Sequence, residues 1–139
     1  MAEKLCTLRR RGGGGTLKET TLWTNSAPSN AFSGTTVTLI ANISTYDYIA
    51  VDYYITNALV SDENKIRVIM SVSDFKKGKT PVSNNIPTLV ICTYLNNSYA
   101  RRIYYSSETQ ILIGNADIVN ASGSYNNYCA IPYQIIGLK

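Results

Sequence analysis

The sequence predicts an all-β protein, an antiparallel β-sandwich with jelly-roll-like connections, and three observations carry that prediction. Apolar residues recur with period two: Ile66, Val68, Met70 and Val72 alternate with Arg67, Ile69 and Ser71, and Val37, Leu39, Ala41 and Ile43 alternate with Thr36, Thr38 and Asn42. Thr, Val, Ile and Tyr dominate, while the helix formers Ala, Glu and Leu never cluster at helical spacing. Turn residues separate the apolar runs at short intervals, and no internal repeat suggests a propeller or solenoid.

Taken in order, strands are expected at 16–23, 35–43, 47–56, 65–73, 87–95, 99–106, 109–114, 116–120 and 129–138. Asn25-Ser26-Ala27-Pro28-Ser29-Asn30 separates the first two, and Ser61-Asp62-Glu63-Asn64 the third and fourth. Lys76-Lys77-Gly78-Lys79 and Asn84-Asn85 precede the fifth, and Ser122-Gly123-Ser124 the last. Asn96-Asn97 is the strongest hairpin signal, because asparagine tolerates the positive φ that tight hairpin turns need. Trp23 ends one strand and Phe32 precedes the next across a Pro- and Asn-containing loop, so both rings can fold back to close one end of the core. The apolar run Ile131 to Leu138 stops one residue from the carboxyl terminus, which predicts a docked end, with Pro132 at a strand start or an edge.

With 139 residues, 45% of them hydrophobic, the chain suits one domain of 16–139 preceded by a basic, glycine-rich tail of 1–15. Four glycines, Gly12 to Gly15, make the hinge between them. Lys4, Arg9, Arg10 and Arg11 against Glu3 place +3 of the net +4 before residue 12 and leave the domain near neutral. Nucleic acid is thereby disfavoured, since three arginines neutralise too few phosphates to hold at physiological salt. No run of about 18 apolar residues could span a bilayer, and the start has no signal-peptide-like core, so neither a membrane nor a secreted protein is expected.

The chain has no histidine, which removes the commonest general base and zinc ligand and every imidazole-dependent triad. No enzyme activity, cofactor or metal is expected. Cys6, Cys92 and Cys129 lack CxxC spacing, and the latter two, inside apolar runs, are expected to be buried free thiols. Among nine carboxylates, Asp47 with Asp52, or Asp117 with Glu108, can be imagined as a glycosidase pair, but no acidic cluster points to one. Asp62-Glu63-Asn64 lacks calcium-loop spacing and reads as a solvated turn.

Three patches carry a family resemblance: Leu22-Trp23-Thr24-Asn25-Ser26-Ala27-Pro28-Ser29-Asn30-Ala31-Phe32 running into Thr35-Thr36-Val37-Thr38-Leu39, then Tyr46-Asp47-Tyr48-Ile49, and the terminus Ile131-Pro132-Tyr133-Gln134-Ile135-Ile136-Gly137-Leu138-Lys139. They resemble a family of small β-domains of bacteriophage tail-fibre and minor structural proteins. The resemblance implies a virion location, assembly in the host cytoplasm, contact with other virion proteins and a homo-oligomer, a trimer as in fibres.

Eleven tyrosines against two phenylalanines and one tryptophan are the most unusual feature of the composition. Tyrosine joins a large apolar face to a polar tip, which suits subunit interfaces and sugar-stacking surfaces. Adjacent pairs such as Tyr53-Tyr54 and Tyr104-Tyr105 must point to opposite faces of a strand. Carbohydrate contact is expected where tyrosine meets Asn and Ser on loops, with Tyr99, Tyr125 and Tyr128 as stacking platforms and Asn97, Asn126 and Asn127 as hydrogen-bonding partners. Arg9, Arg10 and Arg11 suit bidentate contacts to an acidic surface on a virion partner.

Two functions follow as expectations. One is a tail-fibre or receptor-binding tip that adheres to a polysaccharide of the bacterial surface. The other is capsid decoration or a head fibre without a ligand, attached through the tail. A chain of this length has no shaft, so an adhesive tip would borrow one. A cellular carbohydrate-binding module is less well supported for want of a secretion signal.

Overall fold

The computed structural model describes residues 16–78, 88–121 and 123–139. Arg9, Arg10, Arg11, the glycine hinge, Cys6 and the Asn84-Asn85 turn lie outside the described residues. The described chain forms nine strands: β1 (Glu19–Thr24), β2 (Thr35–Thr38), β3 (Tyr48–Thr56), β4 (Lys65–Ser71), β5 (Leu89–Tyr94), β6 (Ser98–Ser107), β7 (Gln110–Ile113), β8 (Asp117–Ile118) and β9 (Cys129–Leu138). All paired neighbours are antiparallel. One sheet runs β1-β9-β3-β4, the other β2-β7-β6-β5, with β8 also pairing β6.

The jelly-roll character resides at the ends of the chain. β1, β2 and β3 alternate between the sheets, and β9 returns to lie between β1 and β3. The middle runs as plain hairpins, β3 to β4 and β5 to β6 to β7. The inward residues of both sheets, among them Leu22, Ile49, Val51 and Ile135 from one and Ile91, Ile103, Ile111 and Ile113 from the other, form a single core. The strand parity is as the sequence implies: Tyr53 and Tyr105 belong to this core, and Tyr54 and Tyr104 point outward on the alternate parity.

Two strands are shorter than their apolar patterns. Beyond Thr38 the alternation of apolar residues continues, but the chain is crossing from one sheet to the other: the Leu39 amide donates to the Thr109 carbonyl and the Ile40 amide to that of Leu22. Leu39 and Ile43 stay buried along this crossing, so period two there follows burial rather than ladder pairing. β4 ends at Ser71, whose Oγ accepts from the Asp74 amide and caps the one-turn helix α1 (Val72–Phe75). That turn carries Phe75 into the core, edge-on to Tyr105 with ring centroids 6.3 Å apart.

The carboxyl end is docked, with β9 paired to β1 on one side and β3 on the other. Pro132, expected at a strand start or an edge, sits inside this central strand at a register shift opposite Asp52 and Tyr53. β1 has already ended there, and Asn25 Nδ2 donates to the Pro132 carbonyl, so the missing N–H of proline leaves no partner unserved. On the other flank of the sandwich the Tyr53 hydroxyl donates to the Cys92 carbonyl at 2.6 Å, joining the two sheets and occupying a carbonyl of β5.

At the end formed by the β6–β7 turn, Glu108 gathers three elements. Its carboxylate accepts from the Ser44 amide and hydroxyl, from the Tyr105 hydroxyl and from Lys76, the last at 2.8 Å. The Lys76 ammonium, followed by the Ser44 bonds, holds the Glu108 carboxyl down to about 2 from the usual 4.5. A depressed carboxyl stabilises the fold above its unfolded pKa, and that contribution disappears as pH falls through the folded value. The loss is therefore expected between about pH 4.5 and 2. Glu108→Gln should flatten the decline of the denaturation midpoint across that window. An unchanged acid profile would show that the cluster contributes nothing.

Candidate functional site

The site is built by β6 and the hairpin that follows β7. Residues facing one another across antiparallel strands share a face, so the pairings Cys92↔Ala100, Ala100↔Asp117 and Asp117↔Tyr125 define one row across four chain segments on the outer side of the five-stranded sheet. Arg102, two residues along β6 from Ala100, shares that face, as does Tyr94, two along β5 from Cys92. Ala100 is the small residue in the middle, and around it lies a depression of about 530 Å3 bounded by Arg102, Asp117, Ile118, Asn120 and the turn through Gly123.

The hairpin is fixed by its backbone. The Val119 amide donates to the Ser98 carbonyl, Ile118 to Ser124 and Asn126 to Ala116. Asn120 and Gly123 take positive φ, 73° and 80°, which asparagine and glycine bear most readily. Its base is held by Asn127, whose Oδ1 accepts from the Ala116 amide and whose Nδ2 donates to Asn115. The Asn127 carbonyl accepts from the Phe32 amide and from Arg101.

Arg101 and Arg102 are adjacent and opposite. Arg101 points inward and is fully buried, and its guanidinium donates to the carbonyls of Ala130 at 2.6 Å, Gly114 at 2.9 Å, and Asn127 and Cys129 at 3.2 Å each. It also lies over the Phe32 ring, 5.3 Å from the centroid, and Phe32 meets Trp23 edge-on at 6.0 Å. The expected closure of one core end by these two rings is therefore present, with an arginine as its third member. Burial lowers the Arg101 pKa to about 10, which leaves it charged at neutral pH.

The sequence-derived residues divide between surface and framework. Tyr125 and Tyr128 are each 57% exposed, and Asn97 is exposed in the β5–β6 turn, as expected of contact residues. Tyr99 is corrected: it is 7% exposed and packs against Ala116, Ile118 and Cys129, which leaves no open face for a sugar ring. The side chain of Asn126 accepts from the Tyr128 amide, and that of Asn127 is committed to Ala116 and Asn115, so both shape the loop. Tyr128, whose carbonyl accepts from the Asn57 amide, lies at the β3 end of the loop rather than in the row around Ala100. Cys129 is buried as expected, but Cys92 is exposed, since alternation on β5 puts it on the outer face.

Asp117, Arg102 and Tyr94 were not apparent as a group from the sequence. The Asn96-Asn97 hairpin, once registered, places Tyr94 beside Ser98 and Cys92 beside Ala100. Nothing local shows that Asp117 joins them, because that pairing spans 17 residues of chain. The glycosidase pair Asp117 and Glu108 is excluded by geometry: they lie at opposite ends of β6, roughly 25 Å apart at about 3.4 Å per residue, whereas glycosidase carboxyls stand about 5–10 Å apart. Among the described residues, no three His, Cys, Asp or Glu side chains come together to hold a metal ion.

No protein-family model matches the chain, and no curated protein matches it.

Proposed function

We propose that this chain is a non-enzymatic bacteriophage virion domain that adheres to a bacterial surface glycan, assembling as a homotrimer and joined to other virion proteins through Arg9, Arg10 and Arg11. The observation that carries the adhesive part is the depression around Ala100, lined by the Asp117 carboxylate and the Arg102 guanidinium, with the exposed Tyr94 and Tyr125 on the same outer face of the sheet. The virion assignment rests on the resemblance of the three sequence patches. A single shallow sugar site binds weakly, and three copies on one particle tip would raise the avidity without new contacts.

The test is binding of the labelled protein to a panel of purified bacterial lipopolysaccharides and capsular polysaccharides, with its native mass measured by light scattering. At least one polysaccharide should bind, and Tyr125→Ala should weaken that binding about tenfold while leaving the denaturation midpoint unchanged, as expected of a surface aromatic. Failure of every polysaccharide to bind would remove the adhesive reading.

A second reading, decoration of a capsid or head fibre without a ligand, is favoured by the apolar residues exposed along β5 and its turn. Val90, Tyr94 and Leu95 are 39%, 79% and 51% exposed, a surface suited to a protein contact. A trimer that persists when the chain begins at Thr16 would place subunit contacts in the sandwich itself. A monomer that incorporates into particles only with residues 1–15 would favour decoration.

A further inference from the structure

We infer that the depression around Ala100 is a subsite for an uncharged pyranose ring presenting two neighbouring hydroxyls, which rests on the adhesive reading above. The argument begins with the Arg102–Asp117 pair. Nη1 of Arg102 and Oδ2 of Asp117 stand 3.8 Å apart, beyond hydrogen-bond distance, and both side chains are about half exposed. Each therefore keeps hydrogen-bonding capacity directed at solvent in the depression.

The two groups are complementary in kind. A carboxylate only accepts and a guanidinium only donates, whereas a sugar hydroxyl does both. Two adjacent hydroxyls can donate to the oxygens of Asp117 while accepting from Arg102, so a diol can bridge the pair that the protein leaves open. Asn120, on the rim, can add one donor and one acceptor to a third oxygen.

Charge selects the class further. The buried Arg101 guanidinium is committed to four carbonyls on the inner side, so on the open side a uronic acid or phosphosugar would gain the Arg102 guanidinium at the cost of facing the Asp117 carboxylate. An uncharged ring meets no such opposition. Outside the lining of the depression, Tyr94, 79% exposed, and Tyr125, 57% exposed, lie on the same sheet face on opposite sides of Ala100, where an aromatic ring can meet the C–H side of a pyranose that extends past the rim. A depression of about 530 Å3 is of the size of a small-molecule site.

The experiment is a titration of the isotope-labelled full-length protein with methyl α-D-mannopyranoside, methyl α-D-glucopyranoside and methyl β-D-galactopyranoside, and with methyl β-D-glucuronide as the charged counterpart, read by amide shifts. At least one neutral glycoside is expected to move the Ala100, Arg102 and Asn120 amides with millimolar affinity, at least tenfold tighter than the glucuronide. Asp117→Asn and Tyr125→Ala should each weaken it about tenfold with the remaining spectrum unchanged, showing that the fold persists. Preference for the glucuronide would overturn the uncharged class while leaving adhesion standing. Shifts confined to other residues, or none with any glycoside, would overturn the subsite. Polysaccharide binding that survives Asp117→Asn would then place adhesion elsewhere on the domain.

Discussion

Replacing Arg101 by methionine is expected to destabilise the domain by about 3–5 kcal/mol, lowering the thermal midpoint by roughly 10–20 °C. The guanidinium is fully buried and serves four carbonyls. Removing it leaves those of Ala130, Cys129 and Gly114 without this donor, each at about 1–3 kcal/mol if unsatisfied, while Asn127 retains the Phe32 amide. Relief of the buried charge offsets part of that loss. One of the orphaned carbonyls belongs to Ala130, held at φ 47°, a conformation that a non-glycine residue adopts only when its surroundings impose it. Lysine should recover little, because one ammonium cannot reproduce a planar fork of five donors. Chemical denaturation of the two variants would decide it, and a loss below about 1 kcal/mol for methionine would mean that water replaces the guanidinium at these carbonyls. The loss should extend to function, since Asn127 and Gly114 flank the hairpin that carries Asp117, Asn120 and Tyr125.

The same arginine shows where the sequence was legible and where it was not. Parity along β6 separates Arg101 from Arg102 and predicts that one faces the core, yet the ordinary expectation for arginine is exposure at an edge. What makes burial tolerable is a ring of carbonyls drawn from Gly114, Asn127, Cys129 and Ala130, and that ring exists only after β9 has returned beside β3. Strand existence, by contrast, depends on local alternation and turn chemistry, so all nine strands could be read directly, with ends displaced where burial and pairing part company, as at Leu39. The burial of Tyr99 is hidden from the sequence for a related reason. Its Asn-Ser-Tyr context resembles a binding loop, but Ser98 already belongs to β6, and the inward parity of Tyr99 brings it under β8 and beside Cys129. Tyr125 escaped that fate because it pairs with Asp117 on the outer face.

Arg67→Met should cost about 3–4 kcal/mol, a larger effect than a surface arginine normally has, because of what it would abandon. Asp52 is only 2% exposed and is held by two parallel bonds from Arg67, 2.6 Å from Nε and 3.0 Å from Nη2. The same Nη2 reaches Glu19 at 2.9 Å. In the order β1-β9-β3-β4 these three residues lie on β3, β4 and β1, so the interaction crosses β9 and ties both edges of the sheet together over its outer face. Beneath and beside it Ala50, Ile136 and Leu138 are buried on that face, packed with Tyr48 and Ile69. Methionine would fill much of the volume but leave the Asp52 carboxylate buried without its cation, the costly half of a broken ion pair. Removing the charge as well, in Asp52→Leu with Arg67→Met, should restore most of the loss, since apolar substitution of a whole buried pair is often neutral. Urea denaturation of both single variants and the double variant gives the coupling directly. Strictly additive losses would mean that Asp52 is stabilised by its surroundings rather than by Arg67, and the link between the two sheet edges would then contribute to geometry but not to stability.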